Sequence, residues 1–223
     1  MRKNVEQRGI QLPGKEKDLS IYQEFFTFLQ EHIPERLSIA TGKVRSKKHI
    51  LNRKCDILIY RKWCSRLLNM AGGYVIIDSL HCFLTLEQEL TTENLYFHVA
   101  LTNAMKSLYE SVNEVEPGDA IPVFSAAVAY QSSIPLLSHK IAIKDAARER
   151  DIPVNHEPDL ICVLNNGLII KDWENGGDYK VVETGPDTLM WFYILLLEYL
   201  DRNGEQELDL RNYIKNVREY KEY

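Results

Sequence analysis

Short apolar runs rich in β-branched residues alternate with longer segments of helical periodicity, and this order constrains the fold more than any other feature of the sequence. The predicted strands are residues 37–44, 55–60, one or two strands within 74–88, 121–130, 160–164 and 168–170. The predicted helices are residues 20–34, with Ser20 as N-cap, 93–112, 135–150, 187–200 and 208–220. This order predicts an α/β protein with a mixed β-sheet flanked by helices and with C-terminal helices.

The length of 223 residues fits a single domain with a sizeable core. Gly9, Pro13 and Gly14 lie among mixed charges, so residues 1–19 are predicted to be a flexible leader. Residues 20–223 then form one domain that includes the C-terminal helices. A Gly-rich phosphate loop does not follow any predicted strand, which argues against a dinucleotide-binding fold.

Apolar segments and cysteines indicate the compartment. The longest candidate for a membrane span, residues 189–200, is interrupted by Glu198 and too short, so no membrane association is expected. The charged N-terminus lacks the apolar stretch of a secretory signal, and a cytoplasmic location is expected. The four cysteines form no Cys-x-x-Cys pair, which predicts buried thiols rather than a zinc knuckle or a disulfide framework.

Charge is distributed unevenly along the chain. The formal net charge is −5, yet residues 43–66 contain nine basic residues and one acid and carry +8, so the remainder carries −13. Such a segment predicts a phosphate-facing surface, and the alternative is a solvated hairpin tip whose lysines provide solubility. The candidate nucleic-acid-binding residues are Lys43, Arg45, Lys47, Lys48, Arg53, Lys54 and Lys62.

A candidate catalytic layout lies on two of the predicted strands. Asp56 begins one strand, and about thirty residues later Thr85 and Glu87 occupy positions i and i+2 of another. The two-residue period of a strand places Thr85 and Glu87 on one face, where both can meet Asp56 across the sheet. Metal-dependent phosphodiesterases use this layout. In the structural alternative, Asp56 caps a buried strand, Thr85 is a good β-former and Glu87 faces solvent.

Five segments resemble the bacterial domain-of-unknown-function 6602 family, a nuclease-like branch of the PD-(D/E)XK superfamily. The segments are residues 34–44, 55–60, 84–90, 121–130 and 158–170. The resemblance extends from about residue 21 to residue 200. It implies a restriction-endonuclease-like fold.

The same resemblance implies roles for individual residues. Asp56 matches the family's metal-binding aspartate, and Glu24 lies where many members of the superfamily place an accessory acid. The family's third strand is hydrophobic-Glu-Val-Lys followed by Ser or Thr. This chain departs from it, since Thr85 replaces the metal-binding carboxylate and Glu87 replaces the lysine. Two carboxylates normally hold Mg²⁺ and the lysine activates the attacking water, so the implied site is degenerate.

These observations lead to three hypotheses. The first is a catalytically inactive nuclease-like protein that binds DNA, RNA or a protein partner, with no cofactor. The second is an active nuclease in which Asp56 and Glu87, with Glu24, hold Mg²⁺ or Mn²⁺ and Lys54 or Lys62 supplies the missing cation. The third is an immunity or regulatory interaction protein of a bacterial defence or toxin system. The aromatic residues of the helix at 187–200 predict packing on the sheet, with a homodimer face as the alternative.

Overall fold

An eight-stranded mixed sheet forms the centre of the molecule. The computed structural model describes residues 19–47, 49–66, 72–113, 115, 121–201 and 221–222. The strands of the main sheet are β1 (Leu37–Gly42), β3 (Cys55–Arg61), β5 (Leu80–Glu89), β6 (Phe124–Gln131), β7 (Leu160–Val163), β8 (Gly167–Asp172), β9 (Asp178–Glu183) and β10 (Lys221–Glu222), in the spatial order β1-β3-β5-β6-β7-β8-β9-β10. Two short strands, β2 (Val44–Arg45) and β4 (Val75–Ile76), pair separately in parallel.

Strand direction changes across the sheet. β5, β6 and β7 are parallel to one another, and all other neighbours are antiparallel. A parallel pair needs a long crossover, and helices provide both crossovers. The helices of the structure are α1 (Leu19–His32), α2 (Thr92–Glu110), α3 (Leu136–Glu149) and α4 (Thr188–Leu200). α2 connects β5 to β6, and α3 connects β6 to β7.

Apolar side chains cover both faces of the sheet. One face packs against α1 and α4 through residues such as Phe25, Leu29 and Phe192. The other face packs against α2 and α3, where Val99 and Ile143 are fully buried. Each fully buried side chain of this size contributes about 1.5–3 kcal/mol. The central strands are therefore buried on both sides, as their continuous apolar runs predict.

The predicted α/β architecture with a mixed sheet flanked by helices is confirmed. The helices expected at 93–112, 135–150 and 187–200 are α2, α3 and α4. The helix expected at 20–34 is α1, which begins at Leu19 and ends at His32, so Ser20 lies inside the helix and is not its N-cap. The Asn165-Asn166-Gly167 turn joins β7 to β8 as predicted, with Asn165 in the left-handed region at φ 58°. In α4, Trp191 and Phe192 are buried against the sheet, so the packing prediction is confirmed.

Two strand predictions need correction, and one strand was not predicted. The strand expected at 37–44 ends at Gly42, because the register with β3 shifts between Ala40 and Gly42, and Val44–Arg45 pairs with β4 instead. The one or two strands expected within 74–88 are β4 and β5, which a 3₁₀ turn at Ile77–Ser79 separates, so that prediction is confirmed. The expected strand at 121–130 begins only at Phe124. β9 was not predicted, since its exposed residues Asp178, Lys180 and Glu183 break up the apolar pattern.

Other expectations concern residues with little or no described structure. Most of the predicted leader and the whole predicted helix at 208–220 lie outside the described residues.

All four cysteines are buried free thiols, as predicted. No described helix combines the length and the apolar character that crossing a membrane requires.

Candidate functional site

Asp56 lies at the start of β3, directly beyond the last paired position of β3 and β5, where Ile57 faces Leu84. Its Oδ2 accepts a hydrogen bond of 2.8 Å from the backbone N–H of Leu86. The hydroxyl of Tyr22 on α1 donates to the backbone carbonyl of Asp56. The half-buried carboxylate of Asp56 therefore fixes the end of the β3–β5 pairing. It lies beside Leu86, the residue between Thr85 and Glu87.

Thr85 is buried against α2. It occupies the position where the resemblance to the domain-of-unknown-function 6602 family implies a second metal-binding carboxylate. The side chain is 3% exposed, and its hydroxyl lies 3.0 Å from Nδ1 of His98. Burial and the nearby charge of Lys106 lower the pKa of His98 to about 3, so the imidazole is uncharged at neutral pH. A hydroxyl paired with a neutral imidazole supplies no negative charge for a metal ion.

Glu87 is two residues further along β5 and projects toward the beginning of α2. The side-chain amide of Asn94 donates to Oε2 of Glu87 at 3.2 Å and to the backbone carbonyl of Glu89 at 3.0 Å. Thr91 caps α2 by accepting from the N–H of Asn94 at 3.2 Å, which fixes the amide's position. Glu87 therefore holds its carboxylate at the beginning of α2, one residue after Leu86, whose N–H bonds Asp56, and it occupies the position where the sequence resemblance implies a lysine.

The magnesium site implied by the resemblance, with a carboxylate at position 85 beside Asp56, does not fit these residues. Within the described part of the chain, no group of three or more His, Cys, Asp or Glu side chains is arranged to hold a metal ion. Thr85 is committed to His98, and one oxygen of Asp56 already accepts from Leu86.

Glu24 lies on α1, which packs against the face of the sheet opposite to the face that α2 covers. It is exposed on α1, and its charge acts together with burial to raise the pKa of Tyr130 to about 12. Tyr130 shares its face of β6 with Val128, which packs against α1 and α4. Glu87 instead contacts α2 through Asn94, so the structure does not bring Glu24 together with Glu87.

The basic segment is divided between the two ends of β3. Residues 43–54, here called the basic excursion, leave β1 and return to β3 one residue before Cys55. A turn in which the N–H of Ser46 donates to the carbonyl of His49 at 2.8 Å shapes the excursion. The excursion contains five of the described candidates, and Lys48 is outside the described residues. These five are Lys43, Arg45, Lys47, Arg53 and Lys54.

Lys62 lies at the opposite end of β3 from Asp56. Lys62 is six positions further along the chain than Asp56, which corresponds to roughly 20 Å along an extended strand. Lys62 begins a 3₁₀ turn with the exposed Trp63, and its exposed neighbours include Arg61 and Arg66. The structure therefore separates Lys62 from the candidates of the basic excursion.

Comparison with solved structures assigns the fold. The chain is similar to NucC of E. coli MS115-1 in its apo form, with TM-score 0.65, 13% identity, and coverage of 86% of this chain and 88% of that chain. It is also similar to NucC of P. aeruginosa ATCC27853 in a cAAA-bound form, with TM-score 0.62, 15% identity, and coverage of 86% and 82%. The cAAA-bound E. coli NucC gives TM-score 0.62 at 12% identity, with coverage of 86% and 81%.

The fold is restriction-endonuclease-like. At 12–15% identity, these similarities concern the fold alone. No protein-family model matches the chain, and no curated protein matches it either. The resemblance to the domain-of-unknown-function 6602 family therefore stays a prediction.

The restriction-endonuclease-like core carries a second polar region that was not predicted from the sequence. Asn94, His98, Thr102 and Lys106 follow one another at four-residue spacing on the sheet-facing side of α2. Lys106 is fully buried at the far end of this row, and its Nζ donates to Oδ1 of Asp159 at 3.0 Å and to the carbonyl of Glu157 at 2.9 Å.

Asp159 and Glu157 complete a cluster with Lys106 and Lys171, here called the buried ionic cluster. Oδ2 of Asp159 accepts from both the N–H and the hydroxyl of Ser125 at 2.9 Å. The ammonium of Lys171, also buried, donates to Oε2 of Glu157. Burial lowers the pKa of Lys171 to about 8, although its bond to Glu157 opposes that shift.

The sequence contains only a weak signal for this cluster. Helical periodicity places Lys106 on the sheet-facing side of α2, which indicates a buried lysine. Lys171 follows the apolar run of β8 and is buried with it. Opposite charges converge here from α2, β8 and the segment before β7, so their pairing depends on the tertiary fold. Such a fully paired interior cluster positions elements of the fold and is not an accessible site.

Proposed function

We propose that this chain is a nuclease-like protein that binds nucleic acid at the Asp56 end of β3 without cutting it. The observation that carries the proposal is the burial of Thr85 against neutral His98, where a nuclease of this fold would present a carboxylate. The likeness to NucC supports a nuclease-like protein. The fold is compatible with both binding and cleavage, and the side chains at positions 85 and 87 favour binding.

The charge around the site supports binding. Asp56 and Glu87 sit beside the basic excursion, whose Arg53 and Lys54 are exposed immediately before β3. A carboxylate pair without a metal ion would repel phosphate, whereas exposed guanidinium and ammonium groups attract it. The nucleic acid is therefore expected to contact the excursion first, with its backbone kept at the rim of the acidic pair.

A charge-reversal experiment tests this proposal. The variant Lys47→Glu/Arg53→Glu/Lys54→Glu removes up to three phosphate contacts. Its affinity for a labelled DNA or RNA oligonucleotide should fall at least about tenfold, and the slope of log K against log salt should decrease by about 2–3. Fluorescence anisotropy at several salt concentrations measures both quantities.

The matched control reverses three charges at the opposite end of β3. The variant Arg61→Glu/Lys62→Glu/Arg66→Glu changes the net charge by the same amount and should retain most of the affinity. Equal losses in the two variants would mean that binding follows net charge alone, and the proposed site would be wrong. Absence of binding by the wild-type protein at low salt would contradict the proposed function itself.

An active nuclease with a rearranged site is the second candidate. Asp56 accepts from the N–H of Leu86, the residue directly before Glu87 on β5, and this is the observation that favours it. It predicts cleavage in Mg²⁺ or Mn²⁺ that is lost in both Asp56→Ala and Glu87→Ala. Cleavage that survives both substitutions would indicate a contaminating nuclease.

A further inference from the structure

Phe97 is an exposed aromatic residue on an otherwise well-buried part of α2. Its exposed fraction is 42%, while its neighbours Leu95 and Val99 are fully buried and His98 is 1% exposed. This exposure forgoes part of the burial energy that a phenyl ring can gain, and packing of the helix does not require it. The ring is therefore a candidate for contact with a ligand.

Arg53 covers one side of this ring. Its guanidinium carbon lies 4.7 Å from the centroid of Phe97. Within the described residues, no acidic side chain forms an ion pair with Arg53, and its guanidinium contacts the ring of Phe97. A guanidinium is planar and stacks on aromatic faces, and its second face is then free to stack on another flat group.

The Arg53–Phe97 pair stands at the rim of the candidate site. Arg53 precedes Asp56 by three residues, and Phe97 follows Asn94, the partner of Glu87, by three residues on the same helix. The exposed Lys54 comes directly after Arg53. A flat cationic surface with an adjacent ammonium group matches a nucleobase and its phosphate.

We infer that Arg53 and Phe97 form a stacking platform for an unpaired base, so that the preferred ligand is single-stranded nucleic acid. This inference rests on the proposed function, because it names the substrate class of the same site. Bases in a duplex already stack on their neighbours and offer no free face away from the ends, whereas unpaired bases stack readily on aromatic rings and guanidinium planes.

The test compares Phe97→Leu with wild type on a labelled single strand and on a duplex of the same length. The substitution keeps an apolar side chain but removes the ring. Since stacking contributes about 1–3 kcal/mol per base, the affinity for the single strand should fall by roughly 5-fold to 100-fold. The affinity for the duplex, which depends on phosphate contacts, should stay within about twofold.

A second exposed aromatic residue serves as the matched control. Trp63 is 66% exposed but lies at the other end of β3, and Trp63→Leu should leave binding of the single strand unchanged. Unchanged affinity in Phe97→Leu, or an equal loss in Trp63→Leu, would overturn the platform while leaving phosphate binding intact. Failure of wild type to bind either nucleic acid would instead overturn the proposed function and the platform with it.

Discussion

The two charged regions along α2 differ in how their charges are matched. At one end, the buried ionic cluster joins Lys106 and Lys171 to Asp159 and Glu157, and every one of these side chains is at most 5% exposed. At the other end, Arg53 and Lys54 are exposed beside Asp56 and Glu87. Charges matched inside the protein hold elements of the fold in place, while exposed positive charges remain available to a ligand.

The largest effect is expected in the buried ionic cluster. Lys106→Met removes the cation from a fully buried site and leaves Asp159, which is 4% exposed, without its charged partner. Breaking a buried ion pair on one side typically costs about 3–5 kcal/mol. The free energy of unfolding, measured by denaturant titration, should fall by that amount.

An exposed ion pair gives the contrast. Arg148, whose side chain is 80% exposed, pairs with Asp145 within α3, and Arg148→Ala should change the free energy of unfolding by less than about 0.5 kcal/mol. If Lys106→Met were no more destabilising than Arg148→Ala, the distinction between matched interior charges and exposed ones would fail.

A smaller effect is expected from pH, through His98 between the two regions. The pKa of its imidazole is lowered to about 3 in the folded protein, below an ordinary value near 6.5. The folded state therefore binds fewer protons than the unfolded state between these values. This contribution to stability is complete above about pH 6.5 and is lost as the pH falls, at up to about 1.4 kcal/mol per pH unit.

The variant His98→Gln isolates this contribution. Glutamine keeps a polar partner for Thr85 but does not titrate, so stability should depend less steeply on pH between 4.5 and 6.5 than in wild type. The measurement is the midpoint of denaturant unfolding at several pH values. Identical slopes for the two proteins would show that the fold does not lower the pKa of His98, so that Thr85 would face a charged imidazole below about pH 6.5.

The smallest effect on stability is expected in the basic excursion. Lys47, Arg53 and Lys54 are exposed, so each reversal to Glu should change the free energy of unfolding by no more than about 0.5 kcal/mol. Thermal melting of the triple variant beside wild type checks this. Unfolding of the triple variant would assign the excursion a structural role and would make its loss of binding uninformative.

Local patterns predicted most of the fold. Apolar runs identified the central strands β3 and β5 to β8, and helical spacing identified α2 and α3 within one or two residues. β9 escaped prediction because its register depends on pairing with β8 and on a turn through Gly176 and Gly177, both at positive φ. A short strand with exposed charges has no distinctive pattern of its own.

The site was predictable in its positions but not in its contacts. The two-residue spacing predicted that Thr85 and Glu87 share one face of β5, and both side chains contact α2, while Asp56 accepts from the N–H of Leu86 between them. The partners of these residues, His98 and Asn94, come from α2, and sequence spacing does not show which helix covers a strand. Glu24 illustrates the same limit. Its position on a predicted helix did not show that α1 packs on the face of the sheet opposite to Thr85 and Glu87.

The most direct test of the central claim measures binding and cleavage in the same sample. Wild-type protein is mixed with labelled DNA and RNA, single-stranded and duplex, at concentrations where anisotropy shows saturation, and Mg²⁺ or Mn²⁺ is then added. We predict a bound nucleic acid that stays intact over hours. Cleavage by wild type that disappears in Asp56→Ala would contradict the account and establish an active site built on Asp56.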